Sequence, residues 1–300
     1  MATIGFIGLG VMGAPMCRNI AAKHDGSVIA FDSAPQAGES LGAANLRLAP
    51  RLEDIWSAAD AVFLSLPGGA QVEAVCLGPG GVTSHARKPE IVVDLSTTSV
   101  ATARKVAAAL SAVDVAFADA PVARTREAAQ RGELSIMVGA PDGLFARILP
   151  WLRHMATDVT HCGAAGSGQF VKLINNALLD VNVIAIAEAI VLAERAGVDP
   201  AVMIEAVAKG SGDSYALRHH AVKSMLPRQF PEKSFPPEYK IKDLSYLLEL
   251  ASQLHAPARS WELALKYYQE TIARGYSGRY FTAVIKVVEE IKRVDGNDSP

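Results

Sequence analysis

Cysteine is scarce: three in 300 residues, Cys17, Cys76 and Cys162, far apart and in no C-x-x-C pair. That spacing excludes a disulfide framework and a zinc knuckle, and a reducing, cytoplasmic setting is expected. Charge of one sign is also lacking. Twenty-nine Lys and Arg stand against 31 Asp and Glu, a formal net charge of -2. No basic field exists to hold nucleic acid or an anionic membrane, so any anion must be recognised locally. The N-terminal MATIGFIGLG has neither a basic leader nor a small-residue cleavage site, so no export signal is expected. No apolar run long enough to span a membrane is free of polar breaks. The longest, Ala177 to Ala193, contains Asp180, Asn182 and Glu188, which would be costly against lipid and point to a buried helix instead. His219-His220 has no third ligand at a sensible spacing, so these read as surface imidazoles and no metal is expected.

Half of the residues are hydrophobic and one fifth charged, enough to build a large core, and 300 residues suit two domains. The first half alternates β-branched runs with helical segments: 4–8, Val28 to Phe31, 61–67, 91–96, 115–122 and 134–140. Strand–helix–strand repetition predicts a parallel sheet with crossover helices. After about residue 163 the pattern becomes helical, with apolar spacing near 3.6 over 170–196, 200–209, 244–254, 263–272 and 281–291. Gly163, Gly166 and Gly168 cluster between the strand-like 158–162 and the long apolar helix, which marks the crossing between domains. The expected domains are therefore 1–163 and 164–296, with the polar tail 294–300 frayed. A helix apolar on nearly every face needs protein around it, supplied either by its own domain or by a neighbouring subunit.

Gly8-Leu9-Gly10-Val11-Met12-Gly13 follows a strand-like run and opens a helix, the context of a dinucleotide-binding turn. The first glycine allows the tight turn, the second lets backbone approach a pyrophosphate, and the third lets helix and strand pack closely. The anion then sits at a helix N-terminus. Asp32 ends the second strand, 19 residues after Gly13, placed to accept hydrogen bonds from ribose hydroxyls or to cap the next helix. Ser33 to Gln36 contain no Arg to hold a 2′-phosphate, which favours NAD over NADP. Lys172 and Asn176 are four apart and share one helix face, with Asn175 beside them. A Lys beside an amide can move the proton of a carbinol, provided burial makes the neutral amine accessible. A solvated Lys on an amphipathic helix is the plainer alternative.

Taken together, 5–16, 93–99, 119–140, 166–176 and 242–251 resemble the β-hydroxyacid dehydrogenases, the 3-hydroxyisobutyrate dehydrogenase-like family. The resemblance implies an α/β Rossmann-type N-terminal domain, an all-α C-terminal domain, an active site shared between them, and homodimers or homotetramers. It implies Lys172 as the catalytic lysine, Asn176 as the amide holding Lys and substrate, and Thr97 beside the nicotinamide. Leu66 and Pro67 match a turn lining the cofactor, and Lys242 matches a lysine reaching the cofactor from the helical domain. Val122-Ala123-Arg124-Thr125 departs from the family's V-S-G-G substrate loop and is similar to the V-x-R-T form of the sulfolactaldehyde reductases. A guanidinium there offers forked donors to a carboxylate or sulfonate; the alternative is an Arg packed in a surface turn before a helix over 127–131.

The expectation is thus an NAD-dependent enzyme acting on a small β-hydroxy acid, with Arg124 and Thr125 at the acid end. Y-x-x-x-K chemistry is disfavoured, since Asp243 stands four residues after Tyr239. A non-catalytic dinucleotide-binding sensor is the rival, and it would have no use for Lys172 and Asn176. Ser211, Ser214 and Tyr215, in a Gly-interrupted segment, can line the substrate or form an interhelical loop. Phe235-Pro236-Pro237 reads as a rigid turn before the helix carrying Lys242.

Overall fold

The computed structural model describes residues 1–38, 41–232 and 234–291. The chain divides into two compact units, Met1–Lys172 and Leu173–Pro300. The division falls inside one continuous helix, nine residues after the boundary read from the sequence, and the predicted tail 294–300 lies outside the described residues.

The first unit is built on β1 (Ile4–Ile7), α1 (Gly13–Lys23), β2 (Val28–Phe31), β3 (Leu46–Leu48), α2 (Leu52–Ala58), β4 (Ala61–Leu64), α3 (Gly69–Leu77), β5 (Ile91–Asp94), α4 (Val100–Ser111) and β6 (Ala116–Asp119). It continues with β7 (Val122–Ala123), α5 (Arg126–Arg131), β8 (Leu134–Gly139), α6 (Asp142–Leu152) and β9 (Ala156–Gly163). The strands lie in the order β3-β2-β1-β4-β5-β6-β8-β7, with β9 beside β8. From β3 to β6 every pairing is parallel. Both faces of these strands are covered, so they read as continuous apolar runs. Ile4, Phe6 and Phe63 pack on one face with Met16 and Ile20, and Ile7, Val62 and Leu64 pack on the other with Ile55 and Trp56.

The all-parallel expectation fails at one edge. The run 115–122 is two strands, β6 and β7, and β8 runs antiparallel to both. Pro121 interrupts the run, having no N–H for a ladder. β3 was not anticipated, because three residues leave no periodicity to detect.

The second unit is helical. α7 (Ser167–Arg195) begins in the first unit and runs into it, followed by α8 (Pro200–Val207), a wide-turned π-type helix over Ala216–Met225, α9 (Pro237–Gln253), α10 (Arg259–Thr271) and α11 (Ile285–Glu290). α9 packs on α10, and Ala187, Ile190, Ala264, Tyr268 and Val284 are fully buried. By length and composition α7 could cross a membrane. Its polar positions instead find partners within the unit: Asp180 pairs with Lys240, and Glu188 accepts from Tyr267. Pro236 and Pro237 stand at the N-terminus of α9, as the sequence predicted. Ser214 Oγ accepts the Leu217 N–H at 3.1 Å, serving the start of the π-type helix that the sequence had not revealed. His220 is not a surface imidazole. Its Nδ1 meets the Tyr280 hydroxyl at 2.9 Å and its ring packs edge-on to Phe281, because its helix faces the segment preceding α11.

Candidate functional site

In the first unit the chain leaves β1 toward β2 and β3 on one side and then returns to β4 on the other. Such a reversal opens a crevice at the carboxyl ends of β1 and β4, where open α/β sheets bind ligands. The glycine turn occupies it. Gly8 takes φ 97°, and a Cβ there would strike the Ser65 carbonyl oxygen. A Cβ on Gly13 would strike the Gly8 carbonyl oxygen, whereas one on Gly10 would meet no atom within 4 Å. The three positions therefore have the three properties a pyrophosphate turn requires: left-handed backbone, open approach and close packing. Val11 is exposed and Met12 precedes the first turn of α1.

Asp32 holds this turn from the end of β2. One carboxylate oxygen accepts the Leu9 N–H at 2.6 Å and the other accepts the Ala34 N–H at 2.8 Å. On the β4 side, the Leu66 N–H, just before Pro67, donates to Ser96 Oγ at 2.9 Å. The loops after β4 and β5 are thereby tied together. Ser99 caps α4 by accepting the Thr102 N–H at 2.9 Å, and the helix starts at Val100.

Two residues missed by the sequence reading fix α7 in this unit. Asp119, fully buried at the end of β6, accepts the Gly166 N–H at 2.6 Å and the Gln169 N–H at 2.8 Å. It is a helix cap supplied from a neighbouring strand. Burial pushes its carboxyl up, and the backbone N–H groups that it accepts pull it down. Gln169, fully buried, donates to the Ser96 carbonyl at 2.7 Å and accepts the Thr98 N–H at 3.0 Å. It thus clamps the residues on either side of Thr97. Lys172 follows three residues later on the same helix face, 8% exposed.

One turn further along α7, in the second unit, Asn176 donates to Asp243 Oδ2 at 2.6 Å and accepts from Asn175 at 3.1 Å. The other oxygen of Asp243 faces Lys242 Nζ at 3.3 Å, and that ammonium lies 5.6 Å from the Tyr246 ring centre. Asp243 stood beside the predicted Lys242 in the sequence and went unnoticed. A carboxylate that meets its amide from a facing helix, 67 residues along the chain, leaves no local signature.

The substrate-loop residues have partners of their own. Ala123 ends β7. Arg124 adopts φ 85°, a conformation that favours glycine. Its guanidinium donates to the Glu133 carbonyl at 2.6 Å, the Thr157 hydroxyl at 2.8 Å and Asp158 at 2.6 Å. The Thr157 hydroxyl and the Arg124 fork hold the Asp158 carboxyl below the usual range. Thr125 caps α5, accepting the Ala128 N–H at 3.4 Å. In this conformation the Arg124 guanidinium is directed at the first residues of β9. Among the described residues no group of three or more His, Cys, Asp or Glu is placed to hold a metal.

Comparison with known proteins accounts for nearly the whole chain. Residues 3–163 match the family model described as the NAD binding domain of 6-phosphogluconate dehydrogenase. Residues 166–288 match the model described as the NAD-binding domain of NADP-dependent 3-hydroxyisobutyrate dehydrogenase. The chain is 35% identical over 291 residues to 2-(hydroxymethyl)glutarate dehydrogenase of Eubacterium barkeri, covering 97% of this chain and 96% of the relative. It is 32% identical to an NAD-dependent L-serine dehydrogenase of Pseudomonas aeruginosa, covering 96% and 98%. Among solved structures, 3-hydroxyisobutyrate dehydrogenase of Mycobacterium tuberculosis with L-serine superposes with a TM-score of 0.86 at 31% identity, covering 96% and 99%.

Proposed function

The chain belongs to the β-hydroxyacid dehydrogenase family, and from that premise we propose that it oxidises the carbinol of a small β-hydroxy acid to the aldehyde or semialdehyde, and runs the reverse reduction, with NAD. The relatives named above act on 2-(hydroxymethyl)glutarate and L-serine, and the solved relative is named for 3-hydroxyisobutyrate. All three molecules carry a CH2OH group on the carbon next to a carboxylate. That shared fragment is the substrate class proposed here. The observation that carries the reading is Lys172, buried on α7 one turn before Asn176 and just after the turn anchored by Asp119 and Gln169.

Bound NAD supplies the hydride acceptor. The glycine turn Gly8 to Gly13 would cradle its pyrophosphate, Asp32 its adenosine ribose, and Leu66, Pro67, Thr97 and Lys242 the remainder. The carboxylate of Asp32 would repel a 2′-phosphate, which supports NAD over NADP. Lys172 takes the hydroxyl proton during oxidation and returns it during reduction. Asn176, held by Asp243, orients the lysine and the substrate oxygen. Ala123, Arg124, Thr125 and Asn175 are proposed at the acid end. For Arg124 this requires exchanging Asp158 for the substrate's anion, an inexpensive exchange because both side chains are exposed. A sulfonate in place of the carboxylate is the narrower alternative, resting on the V-x-R-T form of the loop. The domains 1–163 and 164–296 would divide nucleotide binding from proton transfer. Exposed Leu178 and Leu192 on α7 support a homodimer or homotetramer, to be tested by light scattering.

The decisive experiment measures NADH formation with 3-hydroxyisobutyrate, L-serine, 2-(hydroxymethyl)glutarate, glycerate and 2,3-dihydroxypropanesulfonate. Lys172→Ala should lose turnover and still bind NADH; near-normal turnover by it would sink the mechanism. Tight NADH binding with silence across the panel would favour the sensor. In Arg124→Gly, loss confined to the sulfonate identifies a sulfonate reader, loss on all substrates identifies a general anion clamp, and no loss makes Arg124 structural.

A further inference from the structure

The second unit contains a buried ion pair that the proposed chemistry does not use. Lys240 Nζ lies 2.8 Å from Asp180 Oδ1, the two side chains being 8% and 0% exposed. Tyr268, also fully buried, donates its hydroxyl to the same oxygen at 3.2 Å, and the ammonium sits 4.4 Å from the Phe281 ring centre. Asp180 Oδ2 is buried with no hydrogen-bond partner. Two charges in an apolar helical core cost more than hydrophobic residues of similar size, and a pair of this kind is weak evidence for stability. A role in fixing register is the better-attested use of such groups.

The register at stake is visible along the two helices. On α7, Asn176 and Asp180 are four residues apart; on α9, Asp243 and Lys240 are three apart. Each pair shares a helix face. The helices are therefore joined by two neighbouring rungs, Asn176 to Asp243 and Asp180 to Lys240. The outer rung is charged, so a slip of α9 by even one residue would bury both ions unpaired. The inner rung contains the amide assigned to the lysine and substrate.

We infer that Asp180 is a positioning residue: by pairing with Lys240 it keeps that ammonium away from Asp243 and so leaves Asp243 to hold Asn176. The inference rests on the dehydrogenase reading for the role of Asn176, but the geometry it describes does not. Asp180 lies close enough to Asp243 for the two negative charges to repel; the ammonium between the two helices thus has two carboxylates within its field. If Asp180 is neutralised, the cation left in the core has Asp243 as its nearest alternative, one turn along its own helix. Asp243 Oδ1, buried and accepting no hydrogen bond, would take that ammonium, and the carboxyl would turn with it, drawing Oδ2 away from Asn176. If Lys240 is removed instead, the buried Asp180 can take up a proton and stay neutral, because burial already pushes its carboxyl up. Asp243 keeps its bond. The two single substitutions should therefore be unequal, and the double substitution should undo the harm of the worse one.

The test compares Asp180→Asn, Lys240→Met and the double variant in the full-length protein, by crystallography and by turnover of the best panel substrate. In Asp180→Asn the Lys240 Nζ should move to within 3.5 Å of Asp243, kcat should fall at least tenfold, and KM for NAD should stay within twofold. Lys240→Met should keep kcat within threefold, and the double variant should recover most of the Asp180→Asn loss. An Asp180→Asn structure with the Asn176–Asp243 bond intact, or kcat within twofold of wild type, would overturn the inference. Should Asp180→Asn not fold, tenfold losses in both Lys240→Met and the double variant would overturn it equally. If the wild type turns over nothing, the dehydrogenase reading fails alone, and the crystallographic comparison still decides the rung geometry.

Discussion

Gln169 accepts the backbone N–H of Thr98 at 3.0 Å and, from the same amide, donates to the carbonyl of Ser96 at 2.7 Å. One fully buried side chain thus replaces two hydrogen bonds that the loop after β5 cannot make with itself, and it does so from the helix turn that precedes Lys172. Gln169→Leu keeps the volume and leaves both backbone groups dry and unpaired, at a cost of about 1–3 kcal/mol each. Thermal unfolding should shift down by roughly 5–15 °C, taking a few degrees per kcal/mol for a chain of this size. NADH binding should weaken as well, because Thr97 lies between the two tethered residues. Gln169→Glu retains the acceptor for Thr98 and should fall between wild type and the leucine variant; equal melting of all three would remove the clamp from the argument.

The glycine turn separates folding from binding. Gly13→Ala places a methyl against the Gly8 carbonyl oxygen, while Gly10→Ala meets no protein atom within 4 Å. The first substitution should lower the melting temperature sharply. The second should leave it within about 2 °C, the effect of less than 1 kcal/mol, and weaken NADH binding at least tenfold by occupying the space the pyrophosphate needs. Fluorescence titration with NADH alongside a melting curve distinguishes the two. A Gly10→Ala protein binding NADH like the wild type would place the phosphates elsewhere.

How much of this was written in the sequence depends on the range of the interaction. The glycine turn, Asp32, the strands β1, β2, β4, β5 and β6 and the helix of Lys172 and Asn176 follow from local spacing, and local spacing is what periodicity reports. Asp119 and Gln169 act across 47 and 71 residues of chain, and Asp243 meets Asn176 across 67, so no window of sequence contains both partners. Asp180 was visible only as an interruption in an apolar run; its answer, Lys240, lies 60 residues on. The break between β6 and β7 was legible in Pro121 and was passed over because the flanking residues alternate well. Arg124 is a different case. Its residue type suggested an anion, whereas its backbone conformation and its present acceptors belong to the loop.

His220 should give the folded protein a pH dependence of its own. Burial, chiefly, with Lys240, His219 and Lys223 adding positive charge, pushes its imidazole down to about 4 from an ordinary 6.5. The Tyr280 hydroxyl at 2.9 Å can donate to the neutral ring. Since the unfolded chain protonates first as pH falls, the unfolded state binds more protons between these values, and stability contributed by the neutral ring is complete above pH 6.5 and lost by about pH 4. The loss is on the order of 3 kcal/mol, from 1.36 kcal/mol per pH unit. His220→Gln keeps a polar partner for Tyr280 and removes the titration. Its melting temperature should fall less between pH 6.5 and pH 4 than that of the wild type; parallel curves would show that the ring is not the titrating group.

Arg124 allows backbone strain to be separated from side-chain function. At φ 85° a residue with a Cβ pays on the order of 1 kcal/mol that glycine does not, and the ion pair with Asp158 is too exposed to offset much of it. Arg124→Gly should therefore melt at or slightly above the wild-type temperature. Arg124→Ala keeps the strained backbone while losing the guanidinium contacts to Glu133, Thr157 and Asp158, so it should melt lower than either. That order, glycine above alanine, tests the conformation independently of any substrate. The two variants should nevertheless behave alike toward an anionic substrate if the guanidinium is what binds it, because both lack it. If instead glycine is active and alanine is not, the loop's backbone, and not the arginine fork, holds the acid end.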